Sequence, residues 1–349
     1  MDSSSKTKTH KFPYKWYLKD GYPAKGIEYH GKKVFSTFAC GGGSTMGYKL
    51  AGYDVIGAND IDPKMMKVYK ENHDPRMYYL NDIRDFNKLI KEGKVNKELY
   101  ELDILDGSPP CSTFSMAGSR EKVWGKKKRF REGQSEQVLD DLFFYFIETV
   151  GLLKPKVVIA ENVKGLIQGN AKGYLTEIVK QLKGLGYKVQ VFLLNAASMG
   201  VPQKRERVFV IGYKVSAKKL NLRFNEEQVL YKEFDEGTVS SFKMPSKCFI
   251  PYWKKTKPGS SLSKVHPKGH YFNSIKLSKN RVMNTIVSHS TLMHYKQCRL
   301  LTKRELTIAG TFPLDYDFLD IKSQYLIGMS VPPVMMAQIA NEVYNQLLN

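Results

Sequence analysis

Cys111 stands in the run "DILDGSPPCSTFSMAG", directly behind Pro109 and Pro110. Proline fixes φ and holds the residue before it extended, so the next side chain is aimed reproducibly. A lone cysteine is more often a small inert core residue, but a packing cysteine needs no such mounting and a nucleophile does. Further on, Glu161 closes the apolar run "KVVIAENV". A carboxylate at that point needs a partner or a job. "PQKRERVFVIG" adds Arg205 and Arg207 at alternate positions, which project from one side of a strand. Arginines so spaced are often plain surface charge; beside a buried glutamate they would orient it and bind a polar ring.

A second set of residues points to a ligand. "FACGGGSTMG" carries glycines that let backbone approach a ligand and leave helix N–H groups aimed at it. It fits the dinucleotide pattern only loosely, and a tight strand-to-helix turn is the plain alternative. Asp60 ends one strand at the spacing where a carboxylate accepts ribose hydroxyls. Asp82, in "LNDI", ends the next and suits an adenine amino group. Together they favour an adenosine-containing cofactor, either NAD or S-adenosylmethionine. Thiol, acid and guanidinium beside such a cofactor suit methylation of a pyrimidine. C5 is a poor methyl acceptor until a thiolate adds to C6 and an acid protonates N3. A sulfonium then gives its methyl, and loss of the C5 proton releases the thiol. A dehydrogenase needs none of these parts in this order.

The elements that must hold these residues alternate. Strands are expected at "KKVFSTF", "DVIGANDID", "MYYLNDI", "LDILDGS", "KVVIAENV", "YKVQVFLLNA" and "RERVFVIGY", and helices at "STMGYKLAGY", "PKMMKVYKENH", "SEQVLDDLFFYFIETVGLL" and "GYLTEIVKQLKGLG". That rhythm predicts an α/β fold with a doubly wound, mostly parallel sheet and ligands beyond the carboxyl ends of its strands. Residues 1–32 read as a basic, mobile leader and 33–212 as the catalytic and cofactor-binding domain. Residues 213–280 lose the rhythm and read as a smaller inserted domain, loosest at "IPYWKKTKPGSS". Helical patterning returns in 281–349, at "TKRELTIAG" and "VPPVMMAQIANEVYNQLL", which is expected to pack back on the first domain.

Charge points to the partner. The 349 residues hold 55 Lys and Arg against 34 acids, a formal charge of +21, which predicts a polyanion such as nucleic acid. No acid lies between Glu236 and Glu305, while Lys243, Lys247, Lys254, Lys255, Lys257, Lys264, Lys268, Lys276, Lys279 and Arg281 do, interleaved with Phe249, Tyr252, Trp253, Tyr271 and Phe272. A solvated face normally mixes signs, so this stretch reads as a phosphate-facing surface. Cys40, Cys111, Cys248 and Cys298 form no CxxC pair and no zinc spacing, which argues against a metal site. The absence of a disulfide framework favours a reducing, intracellular setting. The polar N-terminus and the lack of any membrane-length apolar window suit a soluble protein.

Taken in order, "FACGGG", "NDID", "NDI", "GSPPCSTFS", "ENV", "QKRER", "RLLTKRE" and "GMSVPP" resemble the cytosine-C5 DNA methyltransferases of bacteria and phages over nearly the whole chain. The resemblance implies the class I S-adenosylmethionine-dependent methyltransferase fold, with S-adenosyl-L-methionine as donor. It makes Cys111 the nucleophile and Glu161 the N3 proton donor, with Arg205 and Arg207 holding base and acid. Phe38, Gly41, Gly43, Asp60, Ile61, Asp82, Ile83, Pro109, Leu142 and Ser330 fall where the family contacts its cofactor. The target cytosine is flipped out of double-stranded DNA, as a reaction on a stacked base requires. Lys126, Lys127, Lys128 and Arg129, in the loop after the nucleophile, would close over the DNA. The basic insert corresponds to the target-recognition region, with Lys254, Lys255 and Lys257 as DNA contacts and Cys248 and Cys298 as packing residues.

Three positions depart from the family pattern. Ser112 replaces a common glutamine, Met329 replaces an asparagine and leaves Ser330 to serve there, and "RELTIAGTFP" lacks a usual run. The reading is a monomeric enzyme, solitary or paired with a separate restriction endonuclease, in the cytoplasm or nucleoid of a bacterium or the host cytoplasm of a phage. A tRNA cytosine-C5 methyltransferase, a catalytically silent DNA-binding paralogue and an NAD-dependent oxidoreductase are the alternatives.

Overall fold

Val34 and Phe35 are both fully buried, yet they serve opposite cores, because successive side chains on a strand point to opposite faces. The same alternation holds for Ile104 and Leu105, for Val157 through Ala160, and for Val208 through Ile211. A sheet apolar on both faces must be covered on both. The computed structural model describes residues 10–110, 141–169, 171–216, 218–289 and 291–349, and the backbone of 127–128 and 137–138.

The sheet has seven strands: β1 (Lys33–Thr37), β2 (Asp54–Asp60), β3 (Met77–Leu80), β4 (Ile104–Gly107), β7 (Val157–Val163), β8 (Lys188–Asn195) and β9 (Glu206–Tyr213), in the order β3-β2-β1-β4-β7-β9-β8. One face is covered by α1 (Gly43–Leu50), α2 (Pro63–His73), α7 (Lys303–Ala309), α8 (Ser323–Met329) and α9 (Pro333–Val343). The other is covered by α3 (Ile83–Lys91), α4 (Leu142–Leu153) and α5 (Ala171–Gly184). Helix α9 packs closely on α1: a Cβ on Gly47 of α1 would lie 2.5 Å from Met336 Cβ of α9, so only glycine lets these helices approach.

The sheet is parallel except for β9, which runs against both β7 and β8. Residues 196–205 are too few for the helical crossover that a parallel return requires, and they hold only the short turn Ala196–Ser198. That reversal matters, because it puts the start of β9 beside the end of β7.

Several expectations need correction. The leader is anchored from residue 10 onward: Phe12 and Trp16 are buried in the main core, and Trp16 Nε1 donates to the Thr311 carbonyl at 3.0 Å. The fourth helix starts at Leu142, while Gln137–Val138 (β6) pairs antiparallel with Lys127–Lys128 (β5). Helix α3, capped by Asp82, follows β3 where the sequence reading placed none.

The smaller unit holds α6 (Ile250–Lys255), formed inside the stretch expected to be loosest, and a sheet of β10 (Ser260–Ser261), β11 (Ser274–Lys276) and β12 (Thr291–Met293). Its third strand lies beyond residue 280, and Leu220, Leu222, Val229, Tyr231 and Phe234 belong to the main core. Among the described residues, no helix is long and apolar enough to cross a membrane.

Candidate active site

The reactive edge is built where β7 ends. Glu161 pairs across the ladder with Phe209, and Val163 with Arg207, so the arginine stands beside the glutamate. Arg207 Nε lies 2.9 Å from Glu161 Oε1, with both side chains largely buried. Among the described residues Oε2 carries no bond. Asn162 Nδ2 reaches the other way and donates to the Pro109 carbonyl at 3.2 Å, tying the end of β7 to the segment that leads to Cys111. Cys111 itself lies outside the described residues, as do Ser112, Lys126 and Arg129; for Lys127 and Lys128 the backbone alone is described.

Arg205 does something else. It precedes β9, is 2% exposed, and donates to the carbonyls of Ile286, Gly328 and Ser330 at 2.8–2.9 Å. Burial, and then the charge of Arg207, pull its pKa well below the ordinary value, while Glu161 opposes them. Gln203 adds to the same brace: Nε2 donates to the Ala309 carbonyl at 2.8 Å and Oε1 accepts from Ile286 N. So one arginine of the pair grips the carboxylate and its neighbour fastens the return segment. Their identical spacing in "RER" does not distinguish them.

The glycine turn after β1 is held in an unusual backbone conformation. Phe38 and Cys40 have φ of 53° and 49°, in the left-handed region, and Gly42 has 77°. Such strain persists only where surroundings over-determine it. Asp60, 9% exposed, supplies much of that constraint: Oδ2 accepts from Cys40 N and Oδ1 from Asp62 N, both at 2.8 Å. Burial raises the Asp60 pKa to about 6, against these amide bonds. Gly41 offers its carbonyl to Tyr316 Oη at 2.6 Å and to His73 Nε2 at 3.2 Å. Among the described residues, buried His73 Nδ1 has no partner, so the ring is neutral with its proton on Nε2; burial holds its pKa down at about 3. Burial also pushes the Cys40 thiol up to about 12, which leaves it inert.

This turn fits the adenosine cofactor expected from the sequence. Among the described residues no side chain caps the first turn of α1, which leaves its N–H groups available to a ligand. Asp60 pairs with Leu80 across β2 and β3, which brings Asp60 and Asp82 to adjacent strand ends. Asp82 also caps α3 through Arg84 N and meets Arg84 Nη1 at 3.1 Å. Ile83, Pro109 and Leu142 are buried, while Phe38 and Ile61 are half-buried. A cleft beside the turn is lined by Phe38, Cys40, Gly43, Ser44, Asp106 and Ser330, among others. Gly43 must lack a side chain, since a Cβ there would fall 2.2 Å from the Val331 carbonyl. Met329 is 42% exposed, and Ser330 Oγ donates to the Leu326 carbonyl at 2.8 Å.

The insert carries exposed lysines beside a cluster of half-buried aromatics. Lys254, Lys255 and Lys257 are exposed at and just beyond the end of α6. Lys276, expected on the phosphate-facing surface, is instead buried, its ammonium 4.0 Å over the Trp253 ring. Phe249, Tyr252 and Tyr271 pack together with His266, and Phe272 alone of the interleaved aromatics points outward at 76% exposure. Cys248 is exposed rather than packed, because it sits on the outer turn before α6, and Cys298 is half-buried.

Sequence reading missed Asp106, Asn162, Gln203 and His73. Asp106 carried a usable signal, an acid closing an apolar strand, as Glu161 does. Asn162 and Gln203 lay inside quoted motifs, but their partners are backbone atoms that no residue pattern exposes.

The profile of the C-5 cytosine-specific DNA methylase family matches residues 32–345. The type II methyltransferase M1.HphI of Haemophilus parahaemolyticus is 29% identical over 353 residues, covering 89% of this chain and 86% of its own. M.FnuDI of Fusobacterium nucleatum is 31% identical over 192 residues, 55% of this chain and 50% of that protein. In fold, a prophage-encoded E. coli protein superposes with a TM-score of 0.69 at 22% identity, over 91% of this chain and 100% of the other. A Spodoptera frugiperda DNMT2 variant gives 0.64 at 17%, over 90% and 100%. With a family profile running from the strand before the glycine turn to the last helix, the chain belongs to the C-5 cytosine-specific DNA methylase family.

Proposed function

We propose that this enzyme moves a methyl group from S-adenosyl-L-methionine to C5 of a cytosine flipped out of duplex DNA, through a temporary Cys111–C6 bond. The observation that carries the reading is the Glu161–Arg207 pair at the strand end where Asn162 fastens Pro109, just before Cys111. When bound, S-adenosyl-L-methionine supplies a sulfonium methyl. The glycine turn (Phe38, Gly41, Gly43), Asp60, Ile61, Asp82, Ile83, Pro109, Leu142 and Ser330 would hold it.

The Cys111 thiolate adds to C6, and the C5–C6 π pair moves to C5 as Glu161 gives its proton to N3. Arg207 keeps Glu161 Oε1, so Oε2 is the oxygen turned to the ring. C5, now nucleophilic, takes the methyl. A base then removes the C5 proton, the electron pair restores the double bond, the sulfur leaves, and N3 returns its proton. A stacked cytosine offers C6 to no side chain, so extrusion comes first. Lys126, Lys127, Lys128 and Arg129 close over the DNA, while Lys254, Lys255 and Lys257 meet phosphates beside the insert that reads base edges. The enzyme acts as a monomer, alone or alongside a separate restriction endonuclease.

Bisulfite sequencing of a mixed-sequence duplex after incubation with S-adenosyl-L-methionine tests this. Cytosines in one short sequence context should resist conversion. Labelled methyl entering tRNA but not duplex DNA, or no protected cytosine at all, would overturn the reading.

A further inference from the structure

Asp106, the penultimate residue of β4, is 1% exposed and faces Ser36 across the β1–β4 ladder. Its Oδ2 accepts from Ser36 Oγ at 2.8 Å and its Oδ1 from Tyr48 Oη at 3.1 Å. Both described hydrogen-bond partners are neutral hydroxyls. A carboxylate so deep without a cation is costly. Burial raises its pKa to about 7; the hydroxyls offset part of that, and the charge of Glu161 adds to it. An asparagine would fill the same space and keep the hydroxyl bonds. Asp106 also lines the cleft beside the glycine turn, next to Cys40, Ser44, Ser108 and Ser330.

The strand order says which part of a ligand would meet it. Asp82 and Asp60 stand at the ends of β3 and β2, while the cleft lies over β1 and β4, between those strands and the Glu161 edge at β7. A donor with its adenosine over β2 and β3 therefore lays its methionyl tail over β1 and β4, on the way to the base. That tail ends in an ammonium and a carboxylate.

We propose that Asp106 is the anionic anchor for the α-ammonium of the donor's methionyl tail, held in place for that contact by Ser36 and Tyr48. The proposal rests on the S-adenosyl-L-methionine reading above. Asp106 is then a positioning residue that fixes the tail, and with it the sulfonium, relative to the Pro109 loop. Pairing with a cation favours the ionised carboxylate, so below neutral pH one proton leaves Asp106 for solvent as the ligand binds.

Calorimetry of the full chain with S-adenosylhomocysteine and with its deamino analogue tests this, in the wild type and in Asp106→Asn. Affinity for S-adenosylhomocysteine should fall about tenfold to a hundredfold in the variant, the size of one charge-assisted hydrogen bond. The deamino analogue should bind the variant no more weakly than the wild type. In the wild type, affinity for S-adenosylhomocysteine should rise between about pH 6 and 8, whereas affinity for the deamino analogue should not. Equal losses for both ligands, or a wild type indifferent to the amino group, overturn the proposal. Should the variant fail to fold, the wild-type pH comparison decides by itself. A wild type that binds neither compound would bring down the cofactor reading and the proposal with it.

Discussion

Arg207 Nε and Glu161 Oε1 are 2.9 Å apart because β9 runs against β7, so the residues that open one strand meet those that close the other. Removing the guanidinium leaves a largely buried carboxyl without its orienting partner. Arg207→Ala should lower single-turnover methyl transfer by about 10²- to 10³-fold while duplex binding changes little. Arg207→Lys should recover only part of the loss, since a point charge does not reproduce the planar donor set. Full activity in the alanine variant would show that the pair has no part in the chemistry.

Asn162 is 4% exposed and is the described link from β7 to the Pro109 carbonyl. Asn162→Ala should cost about 1–3 kcal/mol in urea unfolding, because a buried carbonyl loses its donor. Asn162→Asp keeps the shape but sets acceptor against acceptor, and should reduce turnover further than alanine does. If the aspartate variant were the more active of the two, Asn162 would not be acting through that bond.

How far the site was legible follows from which signals are local. Glu161 and Asp60 each close an apolar run and Cys111 stands directly behind two prolines, and one chain position displays each of these. Asp106 displays the first as well in "LDILDGS", but it gains meaning only beside Ser36, a residue of another strand. The direction of β9 depends on the ten-residue connection over 196–205 rather than on any pattern within the strand. Arg205 and Arg207 look equivalent for the same reason, until one is found turning into the return segment. Phe12 and Trp16 anchor the leader through packing against residues far along the chain, which no periodicity announces.

Two sets of buried groups give the apo protein opposite pH dependences. Asp106 and Asp60 have folded pKa values raised to about 7 and about 6, so the folded state binds their protons more tightly. Their contribution to stability is lost as pH rises from the ordinary carboxylate range towards those values. Asp106→Asn should therefore gain on the wild type by at least about 1 kcal/mol between pH 4 and 7, and the gap should then level. His73, held near 3, works the other way: its contribution is present above its ordinary pKa and is lost as pH falls towards 3. His73→Gln should flatten the acid limb. Unfolding free energies measured across pH check both, and parallel curves for Asp106→Asn and wild type would contradict the first.

Charge on the insert should be read by salt. Neutralising Lys254, Lys255 and Lys257 should reduce the slope of log K against log salt by about 0.9 for each phosphate that no longer meets a lysine. Neutralising Lys126, Lys127, Lys128 and Arg129 should flatten it likewise. Lys276→Gln serves as the contrast. Its ammonium rests on Trp253 and donates to the Trp253 carbonyl at 3.2 Å, so its loss should lower stability and leave the slope unchanged. An unaltered slope in the triple variant would remove those lysines from the DNA interface.

The central claim is that the sulfur of Cys111 bonds to the target base while the methyl is transferred. A duplex carrying 5-fluorocytosine at the methylated position tests it directly, because fluorine blocks the final loss from C5 and leaves the adduct intact. In the presence of S-adenosyl-L-methionine, the wild type should run as a protein–DNA conjugate on a denaturing gel, and peptide mapping should place the link at Cys111. Cys111→Ser should give no conjugate. A conjugate formed equally by the serine variant, or none from a wild type that methylates ordinary cytosine, would contradict the account.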